Sequence, residues 1–279
     1  MRISLIFLLS LGVLPLTLSP VSGQEVERYV RFQTPAGPTW GLMVDEQVYP
    51  LAGTPYGPHQ VHSEPVPLAD LVLLAPVDPS KVVAVGLNYQ SHLGDREPAP
   101  YPGLFAKFPT SIVGPEDAVI RPRDSRNLHY EGEMVLVVGK RAEDVPVESA
   151  AEYVFGVTAG NDISERDWQS EDLQWFRAKA ADTFGPVGPF LVRGLDVNDL
   201  LLETRVNGEV RQSERTRDLL FGVEEIISYV SRYVTLLPGD IIFTGTPGST
   251  RAMEPGDTVE VELEGVGILR NVIRQEGGR

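Results

Sequence analysis

Glu131 and Glu133 stand two residues apart in the stretch Asn127–Lys140, NLHYEGEMVLVVGK. In an extended chain that spacing puts both carboxylates on one face. Met134 to Val138 is a strongly strand-forming run, so the pair sits where a loop enters a buried strand. Two acids in that position repel each other and lose hydration unless something neutralises them. A divalent cation, which takes hard oxygen ligands, would do so. Asp162, which ends a second apolar run (FGVTAGND), is a third candidate ligand. The spacing alone also allows a plainer reading, in which the two glutamates face solvent at a strand start.

A second constellation is His92 with Asp95. If Asn88 caps a brief helix after the short strand Val82–Val85, these two side chains share one helix face at i and i+3. A carboxylate that orients a histidine is the usual support for a general base. A local surface hydrogen bond is equally easy at this spacing. Other chemistries lack their signatures. The GTPGS segment has no lysine and no phosphate-loop spacing, no strand-bound GxGxxG is present, and there is no G-x-S-x-G elbow. The remaining set, an acidic cluster, one His–Asp pair and several Lys and Arg, suits activation of a keto or carboxylate substrate by a hard cation.

Composition narrows the field further. The 279 residues contain no cysteine, which removes thiol nucleophiles, thiolate metal sites and disulfides together. Only four histidines occur, so a histidine-rich metal site is not expected. His59 and His62 form at most a weak i,i+3 pair in a turn-rich segment and read as exposed. A formal charge of −15 disfavours nucleic acid and anionic membrane surfaces as partners, while leaving room for a small anionic substrate held by local cations. The 27 Gly and 23 Pro point to many turns and short elements.

The elements that must position these residues are mainly strands. Residues 1–23 read as an export signal: Arg2, an apolar run Ile3–Leu18, and small residues Val21-Ser22-Gly23 before a cleavage site at Gln24. Periplasmic or secreted location follows, with no stable membrane insertion after cleavage. Residues 24–76 read as a small β-rich module with a hairpin around Asp45-Glu46. Residues 77–279 read as the main domain. In it, VESAAEYVFGVTAGND reads as a short helix followed by a strand, and Ser164 caps the next turn or helix. Asn207-Gly208 closes a hairpin, Val223–Val230 carries apolar residues at helical spacing, and the chain ends in alternating strands. The fold class is mixed α+β, mainly β.

Five stretches together resemble the fumarylacetoacetate hydrolase family: VVAVGLNYQSH, NLHYEGEMVLVVGK, GVTAGNDISERDWQ, AKAADTFGPVGPFLV, and the long run from Thr204 to Pro247. The likeness spans Lys81 to Arg270. It implies a β-roll catalytic domain, a homodimer, and Mg²⁺ or Mn²⁺ held by the residues matching Glu131, Glu133 and Asp162. It implies a histidine base at His92 and a lysine at Lys179 that contacts substrate oxygens, with Lys107, Arg166 and Thr246 lining the pocket. The small N-terminal module resembles the piece found in bacterial members. Two departures stand out. The helper acid three residues after the histidine is often Glu and is here Asp95, one methylene shorter, and AKAADTFGP replaces the commoner AKSFDTFGP.

The activity this implies is metal-dependent hydrolysis of a C–C bond in a 2,4-diketo acid such as an acylpyruvate. His92, held by Asp95, would take a proton from water, and Lys179 would stabilise the departing enolate. The same site could instead isomerise a 2-hydroxy-dienoate, or decarboxylate or tautomerise oxaloacetate. A non-enzymatic exported binding protein is the third reading.

Overall fold

The computed structural model describes residues 25–278. Residues 1–23, the expected export signal, lie outside the described residues. Among the described residues no helix is long and apolar enough to cross a membrane.

The strand Gly132–Val138 is buried along its whole length. It lies between Val154–Asn161 and Ile241–Phe243, antiparallel to both. Ile241–Phe243 pairs in parallel with Val82–Gly86, which pairs with the edge strand Gly103–Lys107. The side-chain period of two sends alternate residues into two cores. Met134, Leu136 and Val138 meet Ile226, Ile227 and Val230 of the helix Val223–Tyr233, and Leu202 and Val261 of a second, five-stranded sheet. Val135 and Val137 meet Val82, Ala84, Ile241 and Phe243 on the other face. Each large apolar side chain buried this way contributes about 1.5–3 kcal/mol. The strand is therefore anchored on both faces, and the acids at its start inherit a fixed backbone.

The helix Val223–Tyr233 follows its apolar spacing. Val223, Ile226, Ile227 and Val230 are buried, and Glu224 and Glu225 occupy the first turn, where the helix dipole favours them. Glu225 also accepts the Gly222 N–H at 3.2 Å. The hairpin Leu201–Val206/Glu209–Arg215 turns at Asn207 (φ 53°) and Gly208 (φ 78°), the two left-handed residues that a type I′ turn requires.

The N-terminal strands Glu27–Thr34, Gly37–Val44 and Gln47–Gly53 form an antiparallel meander. Its first strand also pairs with Gly185–Arg193, through Glu27–Arg193, Arg28–Val192 and Tyr29–Leu191. Gly185–Arg193 in turn pairs with Val154–Asn161. The N-terminal strands thus extend the central sheet, which reaches thirteen strands. His59 and His62 are exposed, in and just after the short strand His59–Val61.

The helix expected after Val82–Val85 is shorter than its spacing allowed and is capped differently. It comprises only Gln90–Leu93, with Tyr89 at its N-cap. Asn88 does not cap it. The Asn88 amide donates to the carbonyls of Phe221 (3.1 Å) and Thr244 (2.8 Å), and its oxygen accepts the Phe221 N–H at 2.8 Å. A buried amide satisfies its own donors first, and here they lie on two distant loops.

Candidate metal centre and active site

The acids meet because of strand register. Gly132 pairs with Asn161 and Glu133 with Gly160. Continuing that register by one residue sets Glu131 opposite Asp162, and the Asp162 N–H does donate to the Glu131 carbonyl at 2.8 Å. The Asn161 side chain accepts the Glu131 N–H at 2.9 Å and fixes the turn into the strand. Glu131, Glu133 and Asp162 are all buried, and one oxygen from each lies within 4.8 Å of the others.

Two buried lysines stand behind this cluster. Lys179, in the short helix Phe176–Ala180, places Nζ 2.5 Å from Glu131 Oε2 and 2.7 Å from Asp162 Oδ2. Lys107 places Nζ 2.6 Å from Asp162 Oδ1 and also donates to the Lys179 carbonyl. Arg166 donates to Glu131 Oε1 from the cavity side. Among the described residues Glu133 has a single donor, the Gly245 N–H at 2.6 Å.

These surroundings divide the two glutamates. Burial raises the Glu131 carboxyl, but Lys179, Arg166 and His92 outweigh it and hold it well below the usual carboxylate range. Glu133 is pushed well above that range, by burial first and then by the charges of Asp162 and Glu131. Burial lowers the Lys107 ammonium, against the pull of Asp162. Burial works against Lys179 too, but there Asp162 and Glu131 win and raise it.

The donor set fits a hard divalent cation. It consists of three carboxylates with converging oxygens, one of which lacks any cationic partner among the described residues. A cation would neutralise the negative charge that raises the Glu133 carboxyl.

His92 lines the same cavity, a cleft of about 680 Å³. Its Nδ1 lies 2.6 Å from the Gly248 carbonyl. A carbonyl can only accept, so Nδ1 carries a proton and Nε2 is the ring nitrogen left to exchange one. Nε2 is 3.7 Å from Glu131 Oε1, facing the acids.

Asp95 does not take the part expected of it. The helix stops at Leu93, Gly94 turns the chain at φ 68°, and Asp95 emerges exposed with no hydrogen bond to the ring. An i,i+3 pair needs the helix to continue through both residues, and here it ends between them. Lys107 also departs from expectation: its ammonium is buried behind Asp162 and does not line the cavity. Thr246 does line it, and its hydroxyl donates to the Gly132 carbonyl at 2.8 Å and accepts from Gln212 at 2.8 Å. The helix carrying Arg166, Arg166–Glu171, is capped by Glu165, which accepts the Trp168 N–H at 2.8 Å. Ser164, expected as the cap, donates instead to the Asp162 carbonyl at 2.8 Å.

Sequence reasoning passed over His129. It lies in the cavity wall with Nε2 2.8 Å from Asn127 Oδ1 and Nδ1 2.8 Å from Thr250 Oγ1, and Thr250 also accepts from Arg166. Its pKa is lowered to about 4, by burial and then by Arg166. The ring is thus a neutral spacer that steadies Thr250 and Arg166. Its place two residues before Glu131 in the acidic stretch was the available signal.

Comparison with known proteins fits this geometry. The fumarylacetoacetate (FAA) hydrolase C-terminal family model matches residues 81–274, and an Rv2993c-like N-terminal model matches residues 27–76. The chain belongs to the fumarylacetoacetate hydrolase family. It is 44% identical over 233 residues to Protein Rv2993c of Mycobacterium tuberculosis, covering 81% of this chain and 88% of that one. It is 41% identical over 223 residues to the mitochondrial oxaloacetate tautomerase Fahd2a of Rattus norvegicus, covering 75% of this chain and 71% of that one. Among solved structures, 2-hydroxyhepta-2,4-diene-1,7-dioate isomerase from Mycobacterium marinum superposes with a TM-score of 0.84 at 40% identity, covering 90% of this chain and all (100%) of that one. Maleylpyruvate hydrolase from Sphingobium sp. SYK-6, solved with a manganese(II) ion and pyruvate, superposes at 0.75 and 28% identity, covering 89% and 99%. The family's members include isomerases, hydrolases and tautomerases, and a homologue in it binds manganese. The mainly β fold expected from the sequence is the fold of this family.

Proposed function

We propose that the chain is a divalent-cation-dependent enzyme of 2-oxo acid chemistry, and that its reaction is proton transfer between keto and enol forms. That is tautomerisation or isomerisation of an enolisable 2-oxo acid. The observation that carries this reading is His92 Nε2, the ring nitrogen not engaged by Gly248, which faces the acidic cluster in a 680 Å³ cleft. Glu131, Glu133 and Asp162 would hold Mg²⁺ or Mn²⁺. The bound cation would supply positive charge that favours the enolate over the ketone. His92 takes the proton from the carbon beside the 2-oxo group and returns it elsewhere on the substrate. Lys179, fixed between Glu131 and Asp162, holds those carboxylates in place and adds positive charge at the cleft floor. Arg166 and Thr246 border the space the substrate would fill. Relatives named as a tautomerase and as an isomerase, at 41% and 40% identity, support the reading.

Hydrolysis of a C–C bond in an acylpyruvate is the second reading, supported by the likeness to maleylpyruvate hydrolase. It needs the same residues and, in addition, a water molecule that His92 deprotonates for attack on the distal carbonyl.

The test is an ultraviolet assay on oxaloacetate, a 2-hydroxy-dienoate and a panel of acylpyruvates, with Mg²⁺ or Mn²⁺, EDTA controls and product identification. Metal-dependent change of the enol absorbance without fragment release is the expected result. Pyruvate release from an acylpyruvate would move the protein to the hydrolytic reading. Turnover undiminished by EDTA would overturn both.

A further inference from the structure

His92 can act as a base at Nε2 only while its Nδ1–H is held, and Asp95 does not hold it. We propose that Glu214 is the positioning residue for His92, acting through Ser91 and Gly248; this rests on the reading of His92 as the base. Three consecutive hydrogen bonds carry the inference. The Ser91 hydroxyl donates to Glu214 Oε2 at 2.5 Å. The Ser91 oxygen accepts the Gly248 N–H at 2.9 Å. The Gly248 carbonyl accepts from His92 Nδ1 at 2.6 Å. The loop after Phe243 is therefore pinned at one residue by two neighbours on one helical turn. Ser91 takes the N–H of that residue and His92 takes its carbonyl.

Gly248 has the conformation this requires. Its φ is +61°, in the left-handed region, and a Cβ added there would meet nothing within 4 Å. The glycine is needed for its backbone angle and not for room. Glu214 is free for the task. It ends no ion pair among the described residues, whereas its neighbour Arg215 pairs with Asp199 and Glu264, and Arg217 with Asp199. A hydroxyl rotates freely unless an acceptor fixes its proton. With Glu214 accepting the hydroxyl's hydrogen bond, the Ser91 lone pairs point at Gly248, and the carbonyl that sets the His92 tautomer stays in place. Glu214 comes from the strand Glu209–Arg215, far in sequence from His92, and so supplies from another sheet the support that Asp95 does not.

The experiment combines steady-state kinetics with ¹⁵N NMR of the histidine rings, on metal-free and Mg²⁺-loaded protein. Wild-type His92 is expected in the Nδ1–H tautomer in both forms. E214A and S91A are expected to give a mixture of tautomers and to lower kcat about tenfold with little change in KM, as misorientation of a base does. E214Q keeps an oxygen acceptor for Ser91 and is expected to restore both the tautomer and most of kcat. S91A breaks the same chain from the helix side, so the proposal stays testable if E214A folds poorly. Wild-type tautomer and kcat in both alanine variants would overturn the relay, as would E214Q failing as badly as E214A. H92N at wild-type activity would instead overturn the reading of His92 as base, and the tautomer measurement would still decide the relay.

Discussion

Two buried carboxylates lie at opposite ends of the strand Ile241–Phe243, and they are treated in opposite ways. Asp240 precedes the strand, has 0% exposure, and takes five donors: Ser80 N–H and hydroxyl (3.1 and 2.7 Å), Lys81 N–H and Nζ (3.0 and 2.5 Å), and Leu237 N–H (2.7 Å). Glu133, beside Gly245 two residues past the strand's other end, has 2% exposure and, among the described residues, one donor, the Gly245 N–H. Both have lost their water. Asp240 has had it replaced in full, and its charge ties two loops to the sheet. Glu133 has not, and its proton affinity rises in consequence. A saturated buried acid is a structural strut, while an unsaturated one beside two more acids is a site that could hold a cation.

That contrast can be broken most forcefully at Asp162. D162A removes a candidate ligand and leaves Lys107 buried without a carboxylate. It is expected to abolish metal-dependent turnover and to cost about 3–5 kcal/mol of stability, read from the urea midpoint. D240A is next. It strands the Ser80, Lys81 and Leu237 donors, so a loss of about 3–5 kcal/mol is again expected, but kcat of the folded fraction should match wild type. Equal damage to kcat would mean that Asp240 is no mere strut. E133Q sharpens the comparison. A carboxyl whose folded pKa is raised stabilises the fold below its unfolded pKa of about 4.3, and that contribution is lost as pH rises through the folded value. Glutamine is neutral throughout. Metal-free E133Q should therefore be as stable as wild type at neutral pH, within about 1 kcal/mol, or more stable, while the rise in Tm on adding Mg²⁺ disappears. The smallest effect belongs to Asp95. D95A should change stability by no more than about 0.5 kcal/mol and leave kcat within twofold, since the side chain is exposed and does not bond His92.

Much of this was legible in the sequence because it is local. The EGE spacing, the apolar run after it, the Asn207-Gly208 turn and the face of Val223–Tyr233 each depend on neighbours a few residues away, and each formed as its pattern implied. The family resemblance pointed to Lys179, Arg166 and Thr246, which no spacing would have selected. What could not be read was set by contacts between distant strands. The register that brings Asp162 opposite Glu131 is one such contact, and the pairing of Glu27–Tyr29 with Leu191–Arg193 is another. Asp95 misled because i,i+3 spacing says nothing of where a helix stops, and Gly94 stops this one. Lys107 misled because the resemblance marks a position near the pocket but not which side of an acid its ammonium takes. The support of His92 by Gly248, Ser91 and Glu214 joins three loops and strands and has no local signature.

The most direct test of the central claim is to titrate Mn²⁺ into wild-type protein and E133Q at equal concentration, counting free ion by electron paramagnetic resonance. Wild type should bind one ion per chain, and E133Q should leave the ion free while unfolding at the same or a higher temperature in its metal-free form. Equal binding by both proteins would contradict the account, because Glu133 would then be a buried acid that no cation needs.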